Sequence, residues 1–230
     1  MGWKETVRHA EVLVESAMGG RDASHDAAHA YRVRDLALSL AREEGLCDPD
    51  SPCYCPDSLE VVELAALLHD IGDYKYTRNL TEDTTIVERF LKEEGLDNNK
   101  KEKILGIIKG MGFKNEVADI SCISCIEFSV VQDADRLDAI GAIGIARCFT
   151  FGGSKNNPLH DPAILPRTVL SKETYMNKDE KQTSINHFYE KLLKLKDLMK
   201  TKAGRQRAES RHKFMLDFLT EFYEEWEGRA

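Results

Sequence analysis

The chain has no long apolar run, no surplus of basic residues and few residues that would break or cross-link a fold. Nothing in it approaches the roughly 18 consecutive apolar residues of a membrane-crossing helix, so no membrane partner is expected. Lysine and arginine number 32 against 40 aspartates and glutamates, a formal charge of −8. Proteins that coat nucleic-acid polymers rely on summed phosphate neutralisation by cationic side chains, and this balance argues against that class. An anionic substrate would have to be met by a local positive patch or a bound cation. Prolines and glycines are sparse, 6 and 15 in 230 residues, with no internal repeat and no low-complexity tract. The opening Met1-Gly2-Trp3-Lys4-Glu5-Thr6 carries no apolar h-region and reads directly into a helix. A cytoplasmic location is therefore expected, although an organellar transit peptide already removed would leave no trace here.

Cysteine is modest as well, at six. Cys53-Tyr54-Cys55 and Cys122-Ile123-Ser124-Cys125 are the pairs that resemble halves of a zinc site. The single residue between Cys53 and Cys55 falls short of the usual two to four. Reduced thiols, some of them filling the core, are the expectation.

What the chain does have is 42% hydrophobic and 31% charged residues, a globular balance in a length that suits one domain with a sizeable core. Apolar positions recur at helical spacing almost throughout. Val7, Ala10, Val14 and Ala17 form one stripe, stopped by Gly19-Gly20. Ala30, Val33, Leu36, Ala37 and Leu40 form the next, with Ser24 as its cap and Gly45 as its end. Residues 46–57 hold three prolines and read as a loop. Ser58 is expected to cap a third helix with Val61, Leu64, Ala65 and Leu68 on its core face. Residues 84–94 and 98–110 read as two more helices. Residues 121–131 read either as a short extended piece or as the run-in to a helix over 133–151. Residues 152–180 read as a long Gly- and Pro-containing loop, and 182–202 and 204–228 as a C-terminal helical pair. The fold class is all-α: a single domain spanning 1–230, with a metal-site core at about residues 22–151.

Three segments concentrate metal-competent side chains: His25-Asp26-Ala27-Ala28-His29, then His69-Asp70 at the end of the apolar run 64–68, then Asp133-Ala134-Asp135-Arg136-Leu137-Asp138. One histidine from the first, the middle pair and one aspartate from the last make a mixed nitrogen and oxygen set suited to a divalent first-row metal. His25 and His29 are four apart and share a helical face. His69 and Asp70 point about 100 degrees apart on a helix, so they can share one ion only near the helix end, where Gly72 is placed to stop it. A lone buried histidine more often hydrogen-bonds within a core, and a lone aspartate at a helix end is usually a cap. The case for a metal is the coincidence of four such positions.

The order H…HD…D, together with His69-Asp70-Ile71-Gly72-Asp73, Asp133-Ala134-Asp135-Arg136-Leu137-Asp138-Ala139 and Thr183-Ser184-Ile185-Asn186-His187-Phe188-Tyr189-Glu190, resembles the HD-domain superfamily of metal-dependent phosphohydrolases. The longer phrases resemble one subgroup of small soluble members, some of which are nucleoside triphosphate pyrophosphohydrolases. The resemblance spans nearly the whole chain and implies a compact helical HD-domain fold. It places His29, in His-x-x-Arg-Val, and Asp135, just before Arg136, in the ligand set with His69 and Asp70. One divalent metal ion is implied, Mn or Mg foremost, with Co, Ni and Fe also suited. Four protein ligands would leave two octahedral positions for water and a phosphate oxygen, and the cation would lower the pKa of that water toward neutrality. Asp73 is implied as general acid or base, the alternative being a surface carboxylate. Lys75, Arg136 and Arg32 would offset phosphate charge, and His25 would contact a phosphate or a ligand carboxylate. Asp138 is a candidate to orient a ligand histidine, and Arg32 is equally a partner for Asp26 or Asp138. His160-Asp161 has no apolar helix behind it and reads as a decoy. In the basic stretch Lys200, Lys202, Arg205, Arg207, Arg211 and Lys213, at most one residue is expected to reach the phosphates.

The implied activity is cleavage of a nucleoside or deoxynucleoside triphosphate to monophosphate and pyrophosphate, with a nucleotide as partner. A 5′-nucleotidase or phosphodiesterase on the same fold is the alternative. Less favoured are a non-catalytic regulatory module and a di-iron oxygenase, the latter needing more histidines than the chain offers. The apolar helices at both ends allow a homodimer.

Overall fold

The structure, a computed structural model, describes residues 2–72, 84–111, 125–167 and 182–230. Among these, nine α-helices and one 3₁₀ segment occur and no strand. They are α1 (Trp3–Met18), α2 (Ala27–Glu43), α3 (Ser58–Leu68), α4 (Thr85–Glu93), α5 (Asn98–Gly110), α6 (Ile126–Asp138), α7 (Gly141–Ser154), α8 (Ser184–Glu190), the 3₁₀ turns Leu192–Leu198, and α9 (Lys202–Trp226). The all-α expectation holds.

Helix α3 is the axle. Val61, Val62 and every residue from Leu64 to Leu68 are at most 2% exposed, so the helix is apolar nearly all round, as a helix enclosed by others must be. It is surrounded by α1, α2, α5 and α6, and α2 packs between α3 and α6. That enclosure delivers the end of α3 to the middle of the molecule. The helix ends at Leu68 with His69 as its cap, and Gly72, at φ +83°, turns the chain through the left-handed region three residues later.

Several local expectations are corrected. Asp26, not Ser24, caps α2, its carboxylate accepting the His29 amide at 3.1 Å. Ser58 is the first residue of α3 rather than its cap, and its hydroxyl donates instead to the buried carboxylate of Glu127 at 2.5 Å. Residues 126–154 form two helices, because the chain turns at Ala139-Ile140-Gly141. Gly141 takes φ +75°, and a Cβ on Gly144 would lie 2.3 Å from the Ala139 carbonyl, so only a glycine lets α7 double back so closely. The start of the long loop moves accordingly to Lys155; residues 168–181 of it lie outside the described residues. The helix expected over 182–202 breaks at Lys191 into 3₁₀ turns. Leu192, Leu195 and Leu198 recur every third residue, the spacing that lines one face of a 3₁₀ helix, and the first two are buried.

Candidate metal centre

Three helices meet at one point. The middle of the group is His69-Asp70, which follows α3 with His69 still in helical geometry. His29 comes from the first turn of α2, and Asp135 from the last turn of α6. His29, His69 and Asp70 each offer a ligand atom within 4.8 Å of the others'. His29 Nε2 lies 3.4 Å from Asp70 Oδ2 and 3.5 Å from Asp135 Oδ1; His69 Nε2 lies 3.4 Å from Asp70 Oδ1 and 3.8 Å from Asp135 Oδ1. Both imidazoles are buried, while the Asp135 side chain is a third exposed and opens the group to solvent.

Each histidine is held through its other nitrogen. His69 Nδ1 sits 2.8 Å from the Ala66 carbonyl, an acceptor only, so Nδ1 carries a proton and Nε2 is the nitrogen turned to the group. Among the described residues that buried Nε2 has no hydrogen-bond partner, an arrangement costly to leave unanswered. His29 Nδ1 sits 2.8 Å from Asp138 Oδ2, which likewise turns Nε2 toward the group. Asp138 is in turn gripped by Arg32, Nε to Oδ1 at 2.8 Å and Nη2 to Oδ2 at 3.0 Å, and by Arg147 Nη1 at 3.1 Å.

The electrostatics keep the Asp70 and Asp138 carboxyls ionised. Burial opposes ionisation of Asp70, but the imidazoles of His69, His29 and His25 outweigh it and hold the carboxyl well below the usual carboxylate range. Burial likewise works against the Asp138 anion, and His29, Arg32 and Arg147 together keep its pKa far down. For His29, burial disfavours the cation, yet the bonds to Asp138 and Asp70 prevail and its pKa is raised, so a proton competes with a metal for its Nε2. Two nitrogen lone pairs and two carboxylates, mutually crowded and backed by hydrogen-bonded carriers, suit a small divalent cation.

The remaining expected residues fall differently. Asp133, the alternative to Asp135, faces the opposite side of α6: it is fully buried and accepts the amides of Lys200 and Thr201 and the Thr201 hydroxyl. Arg136 shares that side, one turn on. Its guanidinium donates to the Leu198 carbonyl, a contact that fastens the 3₁₀ turns to α6. Arg32 takes the ion-pair alternative with Asp138. His25 has its Nδ1 2.7 Å from the Ser24 hydroxyl and its ring 5.9 Å from that of His29. Asp73 and Lys75 lie outside the described residues. His160 packs edge-on against Phe222, Tyr223 and Trp226, away from the centre. In the basic stretch, Arg205 donates to the carbonyls of Met199 and Lys200, Arg207 to Ser39 and Glu43, and Arg211 to the Leu137 carbonyl. These residues brace the fold. Arg147, which joins Asp138 here, is not among the residues expected at the site, although it is the lone charge in the otherwise apolar and small helix Gly141–Ser154.

The model of the HD domain matches residues 26–140, which contain all four groups of this centre. The chain belongs to the HD-domain family and is an HD-superfamily hydrolase, a metal-dependent phosphohydrolase.

Among its relatives is the protein YpgQ of Bacillus subtilis (strain 168), 34% identical over 215 residues that cover 94% of this chain and 91% of YpgQ. A crystal structure of YpgQ in complex with ADP matches at 32% identity and a TM-score of 0.71, covering 97% of this chain and all of that one. A structure from Lactobacillus plantarum matches at 32% identity and a TM-score of 0.82, over 99% of this chain and all of that one. An HD-superfamily hydrolase from Bacillus thuringiensis matches at 36% identity and a TM-score of 0.69, over 98% and 99% of the two chains.

Proposed function

We propose that this hydrolase acts on nucleotides, cleaving a nucleoside or deoxynucleoside triphosphate between its α- and β-phosphates to give monophosphate and pyrophosphate. The observation that carries the proposal is the buried His69 Nε2, without a hydrogen-bond partner among the described residues and grouped with His29, Asp70 and Asp135, an arrangement that fits one divalent cation, with Mn and Mg as leading candidates. The nucleotide class is supported by the complex of YpgQ with ADP.

In this reading His29, His69, Asp70 and Asp135 hold the ion. When bound, the ion supplies Lewis acidity, which offsets phosphate charge and makes water more acidic. The protein groups do the rest. Asp138 and the Ala66 carbonyl hold the two imidazoles by Nδ1, so that each Nε2, once free of a proton, faces the ion without reorganisation. His25, beside His29, contacts a phosphoryl oxygen. Lys75 adds positive charge near the phosphates, and Asp73 takes the proton released as water adds to the α-phosphorus. The bond from that phosphorus to the bridging oxygen breaks, and pyrophosphate leaves with the electron pair.

The test is a panel of nucleoside and deoxynucleoside tri-, di- and monophosphates with Mn or Mg, with pyrophosphate and orthophosphate read separately. Equal amounts of monophosphate and pyrophosphate are expected. Orthophosphate as the sole product refutes the bond assignment and favours the nucleotidase alternative. The double variant His69→Ala, Asp70→Ala should retain neither metal nor turnover; unchanged turnover refutes the ligand assignment.

A further inference from the structure

Arg147 is anchored at two places on different parts of the chain. Its Nε donates to the Ser24 carbonyl at 2.7 Å and its Nη1 to Asp138 Oδ2 at 3.1 Å, with its side chain 11% exposed. Ser24 is fully buried, so its carbonyl needs a donor from within the protein. The same residue faces His25 through its hydroxyl, 2.7 Å from His25 Nδ1. Two further contacts hold this stretch between α1 and α2 against the metal centre. Arg21 Nη1 donates to the Asp70 carbonyl at 3.2 Å, and Phe151, one turn beyond Arg147 on α7, packs edge-on to the His25 ring at 5.8 Å.

A planar guanidinium with donors on separate nitrogens can span two acceptors on different elements in fixed geometry, which an ammonium cannot do. One acceptor is the carboxylate that orients His29; the other is the backbone carbonyl just before His25. We infer that Arg147 is a positioning residue. By joining the Ser24 carbonyl to Asp138, it sets the His25 ring at a fixed place beside the cation-binding groups, where a phosphoryl oxygen of the substrate is received. This deepens the metal centre proposed above and rests on that reading for the role of His25. The clamp between α7 and the 21–26 stretch stands on contacts that need neither metal nor substrate.

The experiment compares Arg147→Gln, Arg147→Lys, His25→Ala and the Arg147→Gln, His25→Ala double variant with the unaltered chain. In the metal-free protein, amide exchange of residues 21–26 should speed up by about tenfold or more in Arg147→Gln. Exchange in the centre of α3 should not change. With a nucleotide that the unaltered chain hydrolyses, kcat/KM of Arg147→Gln should fall by about 10- to 100-fold, while the double variant falls little further than His25→Ala alone. Multiplicative losses would mean that Arg147 acts independently of His25, and they overturn the inference; so does unchanged exchange at 21–26. Arg147→Lys, which keeps the charge but not the fork, should resemble Arg147→Gln, and it carries the same test if Arg147→Gln does not fold. Full activity in Arg147→Lys overturns the inference. If the unaltered chain hydrolyses no nucleotide, the substrate reading fails, while the exchange measurement still decides the clamp.

Discussion

Asp133 and Asp135 stand two residues apart on α6 and should respond oppositely to the same change, carboxylate to amide. Asp133 is buried and accepts the Lys200 amide at 2.9 Å, the Thr201 amide at 2.7 Å and the Thr201 hydroxyl at 2.7 Å. It thereby fixes the start of α9, whose cap is Thr201. Hydrogen bonds to a charged group contribute about 1.5–3 kcal/mol each. Asp133→Asn keeps one acceptor oxygen and turns an NH₂ toward donors that then face a donor. Losing one such bond outright and weakening a second gives about 3 kcal/mol, and at roughly 2–4 °C per kcal/mol for a chain of this size a Tm fall of about 6–12 °C. Metal affinity at fixed temperature should be little altered. Asp135→Asn removes a part-exposed carboxylate whose oxygen faces two imidazoles, so its Tm should stay within about 2 °C, while Mn affinity and turnover collapse. Calorimetry of the metal-free proteins together with Mn titration by electron paramagnetic resonance reads both quantities. The reasoning is refuted if Asp133→Asn loses metal at unchanged Tm, or if Asp135→Asn is the less stable of the two.

Other outcomes follow from the same contacts. Gly204→Ala should destabilise the protein although alanine favours a helix by about 1 kcal/mol over glycine, because the new Cβ would lie 2.3 Å from Asp133 Oδ2; a raised Tm refutes this. For Glu127, burial favours the neutral acid, but Lys103 Nζ at 2.6 Å and the Ser58 hydroxyl prevail and hold its pKa below the ordinary value. A carboxylate depressed on folding stabilises above its unfolded pKa of about 4.3 and loses that contribution as pH falls through the folded value. The gap in urea midpoint between the unaltered chain and Lys103→Met should therefore be present at pH 7 and shrink below about pH 4.3; a gap that widens on acidification refutes the pairing. Burial pushes the Cys148 thiol up to about 12, whereas Cys47 is exposed. A thiol reagent at pH 8 should label Cys47 in the native protein and Cys148 only after unfolding, and mass spectrometry of the labelled peptides checks this.

The helical class was legible from the chain because the apolar stripe of an α-helix is a local property, set by 3.6 residues per turn. Gly72, Gly95 and Gly110 marked helix ends for the same reason, since a stop is decided by the residues on either side of it. His29, His69, Asp70 and Asp135 were nameable from their order and neighbours. Spacing alone left Asp133 and Asp135 as alternatives, because both are short acids on one helix. Which of them faces the histidines depends on how α6 is rotated against α2 and α9, and only packing fixes that rotation. Packing also brought the Arg136 guanidinium to the Leu198 carbonyl and drew Arg147 from an apolar helix onto Asp138. It divided 126–154 into two helices, because the close approach of Gly144 to Ala139 is a contact that sequence periodicity does not encode. Local chemistry thus determined the elements and the kinds of ligand, while the relative rotation of the helices decided which polar side chain serves the centre and which serves the frame.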